Sequence, residues 1–156
     1  MCEYCGCQAI AAIELLTREH DVALDHIRRA TQAIAVRDLR VLRSACAELA
    51  AVLAPHTAVE EEALFPALRA DFPDQIDVLT TEHRAFERAL EQILGCSRVD
   101  DGSLDRLRTA LDLLRDHIRK EQDGVFPAAL STLTPDQWDQ LDTVRQGFRS
   151  TLPVQM

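Results

Sequence analysis

The sequence predicts an all-α fold: an antiparallel up-down-up-down four-helix bundle with a short C-terminal capping helix. Apolar residues make up 47% of the 156 positions but aromatic residues only 4%, with Ala and Leu standing in for the aromatic and β-branched types that strands favour. Those apolar positions recur at alternating steps of three and four, the signature of one buried helix face. The connections between them are short, which makes consecutive helices antiparallel neighbours.

The first face runs Ile13, Leu16, His20, Leu24, Ile27, Thr31 and Ile34. A second follows through Leu39, Leu42, Cys46, Leu49, Leu53, His56, Glu60 and Leu64, until Asp71, Phe72 and Pro73 interrupt it. Asp74 is placed to cap a third helix with Ile76, Leu79, His83, Glu87, Leu90 and Leu94 inward, stopped by Gly95 in a left-handed position. After a loop over Arg98 to Gly102, Ser103 is the candidate N-cap of a fourth, with Leu107, Ala110, Leu114, His117, Glu121 and Val125 inward. Thr134, Pro135 and Gln137 read as a capping box with proline at the first helical position, opening a shorter helix that buries Trp138, Leu141, Val144 and Phe148. Pro55, Pro66 and Pro127 fall inside these patterns, where each should kink or end its helix. The expected organisation is a Cys-rich tail over 1–9, a bundle over 10–131 and a capping helix with its tail over 132–156.

A net charge of −9 argues against nucleic acid and anionic membranes as partners, because both require clustered Lys and Arg. No run approaches the roughly 20 apolar residues that span a bilayer, and the first residues lack the basic start of a signal peptide. Five cysteines, an odd number, suit reduced thiols. The expected compartment is the cytoplasm.

Chemistry concentrates in the apolar seams. His56, Glu60, Leu64, Phe65, Pro66 and Ala67 recur 61 residues later as His117, Glu121, Val125, Phe126, Pro127 and Ala128. Glu19–His20 and Glu82–His83 form a weaker pair, so the chain reads as a duplicated helix pair. Residues four apart on a helix point the same way, and each HxxxE pair offers an imidazole and a carboxylate to one centre. A lone histidine in a seam is usually a hydrogen-bonded core residue. Four with two or three glutamates would leave buried charges uncompensated, each at a cost of several kcal/mol, unless a cation holds them. Imidazole and carboxylate without thiolate suit iron, manganese or zinc, and two bridging carboxylates suit a dinuclear site.

The ordered series His20, His56xxxGlu60, His83, His117xxxGlu121, followed by LFPAL and VFPAAL, resembles the hemerythrin-like (HHE cation-binding) family across residues 10–131. The resemblance implies a non-haem centre of two iron ions, oxo- or hydroxo-bridged, in a four-helix bundle. Glu60 and Glu121 would bridge, His20 and His56 would bind one iron, and His83 and His117 the other. Oxygen-carrying members have HxxxH on the third helix; here Glu87 stands where the fifth histidine belongs and joins the candidate ligands. The departure argues against reversible oxygen carriage. It favours a protein reacting with O2, peroxide (H2O2) or nitric oxide (NO) in oxidative or nitrosative stress, a peroxidase- or catalase-like oxidoreductase whose reacting groups are the metal ligands themselves. The alternative is a non-catalytic iron or oxygen sensor or binding protein.

His26, six residues after His20, faces elsewhere and is read as a surface or packing residue. Glu61, Glu62 and Asp123 adjoin the ligand pairs and are read as solvated, with hydrogen bonding to the ligand histidines open to them. Phe65, Phe86 and Phe126 are expected to pack around the site. Cys2, Cys5 and Cys7 form a CxxCxC cluster, read as an exposed reduced tail or a metal or redox element, whereas Cys46 reads as core and Cys96 as loop.

Overall fold

The computed structural model describes residues 6–151, with side chains through residue 149, and all regular structure among them is helical. Helix α1 (Cys7–Val36) begins inside the stretch expected to be tail and ends at Arg37 in a left-handed conformation (φ 54°). The Arg37 and Asp38 amides then donate back to the Ile34 and Ala33 carbonyls, closing the helix end. Asp38 caps α2 (Leu39–Val59) by accepting from the Val41 amide. A π-helical turn, Glu60–Leu64, leads from α2 into α3 (Phe65–Leu68). Helix α4 (Pro73–Gly95) and α5 (Asp101–Lys120) follow, and α5 passes through a second π-helical turn, Glu121–Val125, into α6 (Phe126–Thr132). Helix α7 (Pro135–Thr151) opens with the expected reciprocal box: the Thr134 amide donates to Gln137 Oε1 at 2.9 Å and the Gln137 amide to Thr134 Oγ1 at 3.3 Å.

Three local expectations are corrected. Helix α4 starts one residue before Asp74, with Pro73 in the first turn and Phe72 as an N-cap that makes no side-chain bond. Proline's missing N–H costs nothing there, so Pro73 begins this helix as well as interrupting the one before. Asp100, not Ser103, caps α5; its carboxylate accepts from the Ser103 amide at 2.7 Å. Gly95 remains helical, since among the described residues only Gly6 and Arg37 have positive φ, and the chain leaves the helix through an extended Cys96.

Helical backbone continues past Pro55, Pro66 and Pro127, so none of them ends its helix. Pro66 and Pro127 each follow a π-helical turn in which the Phe65 and Phe126 amides reach back five residues, to the Glu60 and Glu121 carbonyls. Widening the turn makes room for a ring that would otherwise strike the carbonyl four residues earlier. Glu60 and Glu121 are the first residues of these turns, so the repeated FP dipeptide shapes the backbone at both carboxylates.

Helix α1 packs along α2 and α4 along α5, α2 meets α4, α1 meets α5, and α7 covers parts of α1, α2 and the first π-helical turn. Two apolar clusters fill the interior. One gathers Ile27, Leu42, Leu49, Phe86, Ile93, Leu107 and Leu114 with their neighbours. The other gathers Leu16, Leu64, Phe65, Ile76, Phe126, Trp138 and Leu141. Each fully buried Leu, Ile or Phe contributes about 1.5–3 kcal/mol of hydrophobic stabilisation. On α1, α2 and α4 a histidine separates residues of one cluster from residues of the other, and on α5 His117 lies near the end of the first cluster, the second being reached at Phe126.

Candidate metal centre

Those four histidines lie at one level with two glutamates: His20 on α1, His56 on α2, His83 on α4, His117 on α5, and Glu60 and Glu121 at the π-helical turns. All six are buried, and both glutamates are 0% exposed. The two glutamates connect the helices. Glu60 Oε1 lies 2.9 Å from His56 Nε2 and its Oε2 lies 3.1 Å from His83 Nε2, while Glu121 Oε1 lies 3.1 Å from His20 Nε2 and 3.2 Å from His117 Nε2. His83 and His117 bring their Nε2 atoms within 3.1 Å of each other. Two four-residue groups result, His20, His56, Glu60 and Glu121 on one side and Glu60, His83, His117 and Glu121 on the other, each with donor atoms within 4.8 Å of one another.

The fit to cations shows in what these atoms lack. Both oxygens of Glu60, Glu121 Oε2, His56 Nε2 and His20 Nδ1 are buried without a hydrogen-bond partner. His56 and Glu60 approach to 2.9 Å yet are misaligned for a hydrogen bond. Donors crowd a common centre, where the His20–Glu121 and His83–His117 contacts meet hydrogen-bond geometry and the rest go unpaired. Leaving such groups unmatched costs several kcal/mol, a cost that cations between them remove. Nitrogen and carboxylate donors with no sulfur suit iron, manganese or zinc.

Behind the inward nitrogens, three of the four imidazoles rest on carboxylates. His56 Nδ1 donates to Glu19 at 3.2 Å, His83 Nδ1 to Glu61 at 3.1 Å and His117 Nδ1 to Glu82 at 3.1 Å. Each carboxylate is paired in turn: Glu19 with Arg145 of α7, Glu82 with Lys120, and Glu61 with Arg84. Such contacts fix which ring nitrogen carries the proton and raise the basicity of the other. Glu61 fulfils the role left open to it, whereas Glu62 and Asp123 are exposed. Sequence reasoning missed Glu19 and Glu82 in this role. The signal was present, because each stands one residue before a seam histidine in both halves of the repeat.

Burial alone would push the His56 imidazolium down, but the close Glu60 carboxylate and the hydrogen bond that Nδ1 donates to Glu19 push its pKa up to about 10. His117 is likewise raised, its burial outweighed by Glu121, Glu60 and Glu82. A raised histidine stabilises the fold fully below its unfolded value near 6.5 and loses that contribution as pH rises through its folded value near 10. The metal-free protein is therefore expected to lose thermal stability from about pH 6.5 to about pH 10. A cation must displace these protons, so loading should release protons and its apparent affinity should rise across the same window. Calorimetry in buffers of different ionisation enthalpy measures the release; absence of proton release would contradict this protonation pattern.

Glu87 stands apart. Its half-exposed carboxylate is 2.5 Å from Arg84 Nη1, and it belongs to neither four-residue group. The arginine one turn earlier draws it to the outer side of α4. His26 is also remote, 3.3 Å from Glu48. Phe126 stacks on His20 at 5.3 Å, Phe65 stacks on His83 at 5.5 Å, and Phe86 meets His83 and His117 edge-on at 5.4 Å. Among the thiols, Cys2 and Cys5 lie outside the described residues, Cys7 begins α1 on its exposed side and Cys96 is exposed. Cys46 is fully buried, and desolvation pushes its pKa up to about 11. Alkylation of the native protein at pH 8 should therefore modify Cys96 and spare Cys46 until the chain unfolds; mass spectrometry of the peptides checks it.

A DNA nickase of Nostoc sp. (strain PCC 7120 / SAG 25.82 / UTEX 2576) is 31% identical over 101 residues, 64% of this chain and 29% of the relative. The match thus spans less than a third of the relative's length. No solved structure matches significantly. The hemerythrin family, described as the hemerythrin HHE cation binding domain, matches residues 11–129, which include all six inward-facing residues, and the chain belongs to that family.

Proposed function

We propose that the protein is a non-haem di-iron protein that reacts with O2, peroxide or nitric oxide and scavenges oxidative or nitrosative stress. The observation that carries this reading is the pair of four-residue donor groups sharing both carboxylates. In it, His20 and His56 hold one iron, His83 and His117 the other, and Glu60 and Glu121 bridge. Glu87 is left out because Arg84 holds it. Iron, when bound, supplies the redox chemistry.

The chain's own contribution is to hold donors and limit water. Leu53, Phe86, Leu114 and Ile118 line, together with the four histidines and Glu121, a gap of about 10 Å³ between the donors. Apolar walls of this kind limit the access of water to the centre. The architecture in this reading is an antiparallel up-down-up-down bundle over 10–131 with α7 as its cap. It is supported by the order in which the helices visit the two apolar clusters, which reverses from α1 to α2 and from α4 to α5 continued into α6. A cytoplasmic location is supported by the thiols Cys46 and Cys96. Nucleic acid has no part in it, because a net charge of −9 repels phosphates. No described helix is long and apolar enough to cross a membrane, and a membrane has no part either.

Protein purified from iron-replete cells should carry about two iron atoms per chain, as a dinuclear site requires. Its ferric absorption should change when the reduced form meets peroxide or nitric oxide, with the oxidant consumed over repeated additions. Binding without turnover would favour a sensor or binding protein. Less than one metal atom per chain, with stability unchanged by chelation, would remove the metal centre altogether.

A further inference from the structure

The internal repeat makes the two halves of the site comparable residue by residue, and they are not equal. On the α4–α5 side both imidazoles are braced at Nδ1, His83 by Glu61 and His117 by Glu82. On the α1–α2 side only His56 is braced, by Glu19. His20 Nδ1 is buried without a partner, and its ring is stacked on Phe126. The cause lies in one residue of the repeat. Glu61 follows Glu60 in the first π-helical turn, and Gln122 follows Glu121 at the equivalent place in the second. The widened turn lets consecutive residues serve one ring: Glu60 approaches His83 Nε2 while Glu61 takes its Nδ1. Arg84 then clamps Glu61 and is itself held by Glu87. The repeat places Asp21 and Leu24 where Arg84 and Glu87 would stand, so the clamp exists on one side only.

We infer that the two cation positions are inequivalent, with the His83–His117 position holding its ion more tightly than the His20–His56 position, and that Glu61 is the positioning residue that sets the difference. The inference rests on the dinuclear reading above. A carboxylate on Nδ1 fixes the imidazole tautomer and orientation and makes Nε2 a stronger donor. An imidazole without that brace holds its ion less firmly. Glu87, displaced from the donor set, acts at the far end of the same chain by steadying Arg84.

The test is a competition titration of the full chain with Zn²⁺ and a metallochromic chelator. Two steps are expected, separated by about 10–100-fold in affinity, the usual effect of such an outer partner. Glu61→Gln should weaken the tighter step by about that factor and merge the two. Gln122→Glu should strengthen the weaker step, a gain that damage to the fold does not produce. Mössbauer spectra of the ⁵⁷Fe-loaded protein give an independent signature, with two doublets of equal area and only one of them altered by Glu61→Gln. Two ions leaving in a single step, or a Glu61→Gln variant with the wild-type titration, would overturn the inference while leaving the dinuclear reading intact. Saturation at one ion or none would overturn that reading, and the inference with it.

Discussion

Replacing Glu121 by glutamine should empty the site of metal and remove the stabilisation that metal gives the fold. The amide keeps the shape of the side chain and removes the charge that faces both His20 and His117. In the metal-free wild type that fully buried carboxylate offsets the burial of His117, so the metal-free variant should itself melt somewhat lower near neutral pH. The loaded state loses a donor common to both groups, so metal content should fall below one ion per chain. At free metal about a thousandfold above the dissociation constant, bound metal adds about 4 kcal/mol, or roughly 8–16 °C for a chain of this size. That increment should vanish in Glu121→Gln and persist in Glu62→Ala, whose side chain is exposed. Elemental analysis with melting curves, with and without chelator, decides it. A Glu121→Gln protein that kept full metal, or whose chelator-dependent melting shift stayed as large as the wild type's, would show that Glu121 serves the fold and not a cation.

The inward faces of the four helices were legible, apart from Leu39 and Leu94, which are exposed at the ends of α2 and α4, because helical periodicity needs no knowledge of the partner. His56 with Glu60 and His117 with Glu121 announce themselves twice, at the same spacing and before the same FP dipeptide. Glu87 lies on that same face by register, but register does not determine which neighbour a long side chain chooses, and Arg84 claims it. The helix starts at Pro73 and Asp101 turn on competition between adjacent capping residues, a choice of small energy. Glu19 and Glu82 were visible as repeats, yet their histidine partners sit on other helices, 37 and 35 residues away. Proline flagged a disturbance at both FP sites without revealing that the backbone would absorb it as a π-helical turn.

The braces behind the histidines also bear on redox chemistry. Three imidazoles donate to carboxylates, and two further carboxylates face the centre directly, so the donor set is rich in negative charge and basicity. Both properties stabilise a higher charge on a bound metal. An iron-loaded protein should therefore rest in the ferric state, and its reduced form should consume O2 without giving it back. Glu82→Gln tests this most cleanly, because Glu82 meets His117 Nδ1 at 3.1 Å and its charge is opposed only by Lys120. Removing it should raise the reduction potential of the iron pair and slow reoxidation in air, whereas Glu62→Ala should change neither. Spectroelectrochemical titration measures the potential, and oxygen release under vacuum measures reversibility. An unchanged potential in Glu82→Gln would detach the braces from redox control, and wild-type protein that released O2 intact through many cycles would return the site to oxygen carriage.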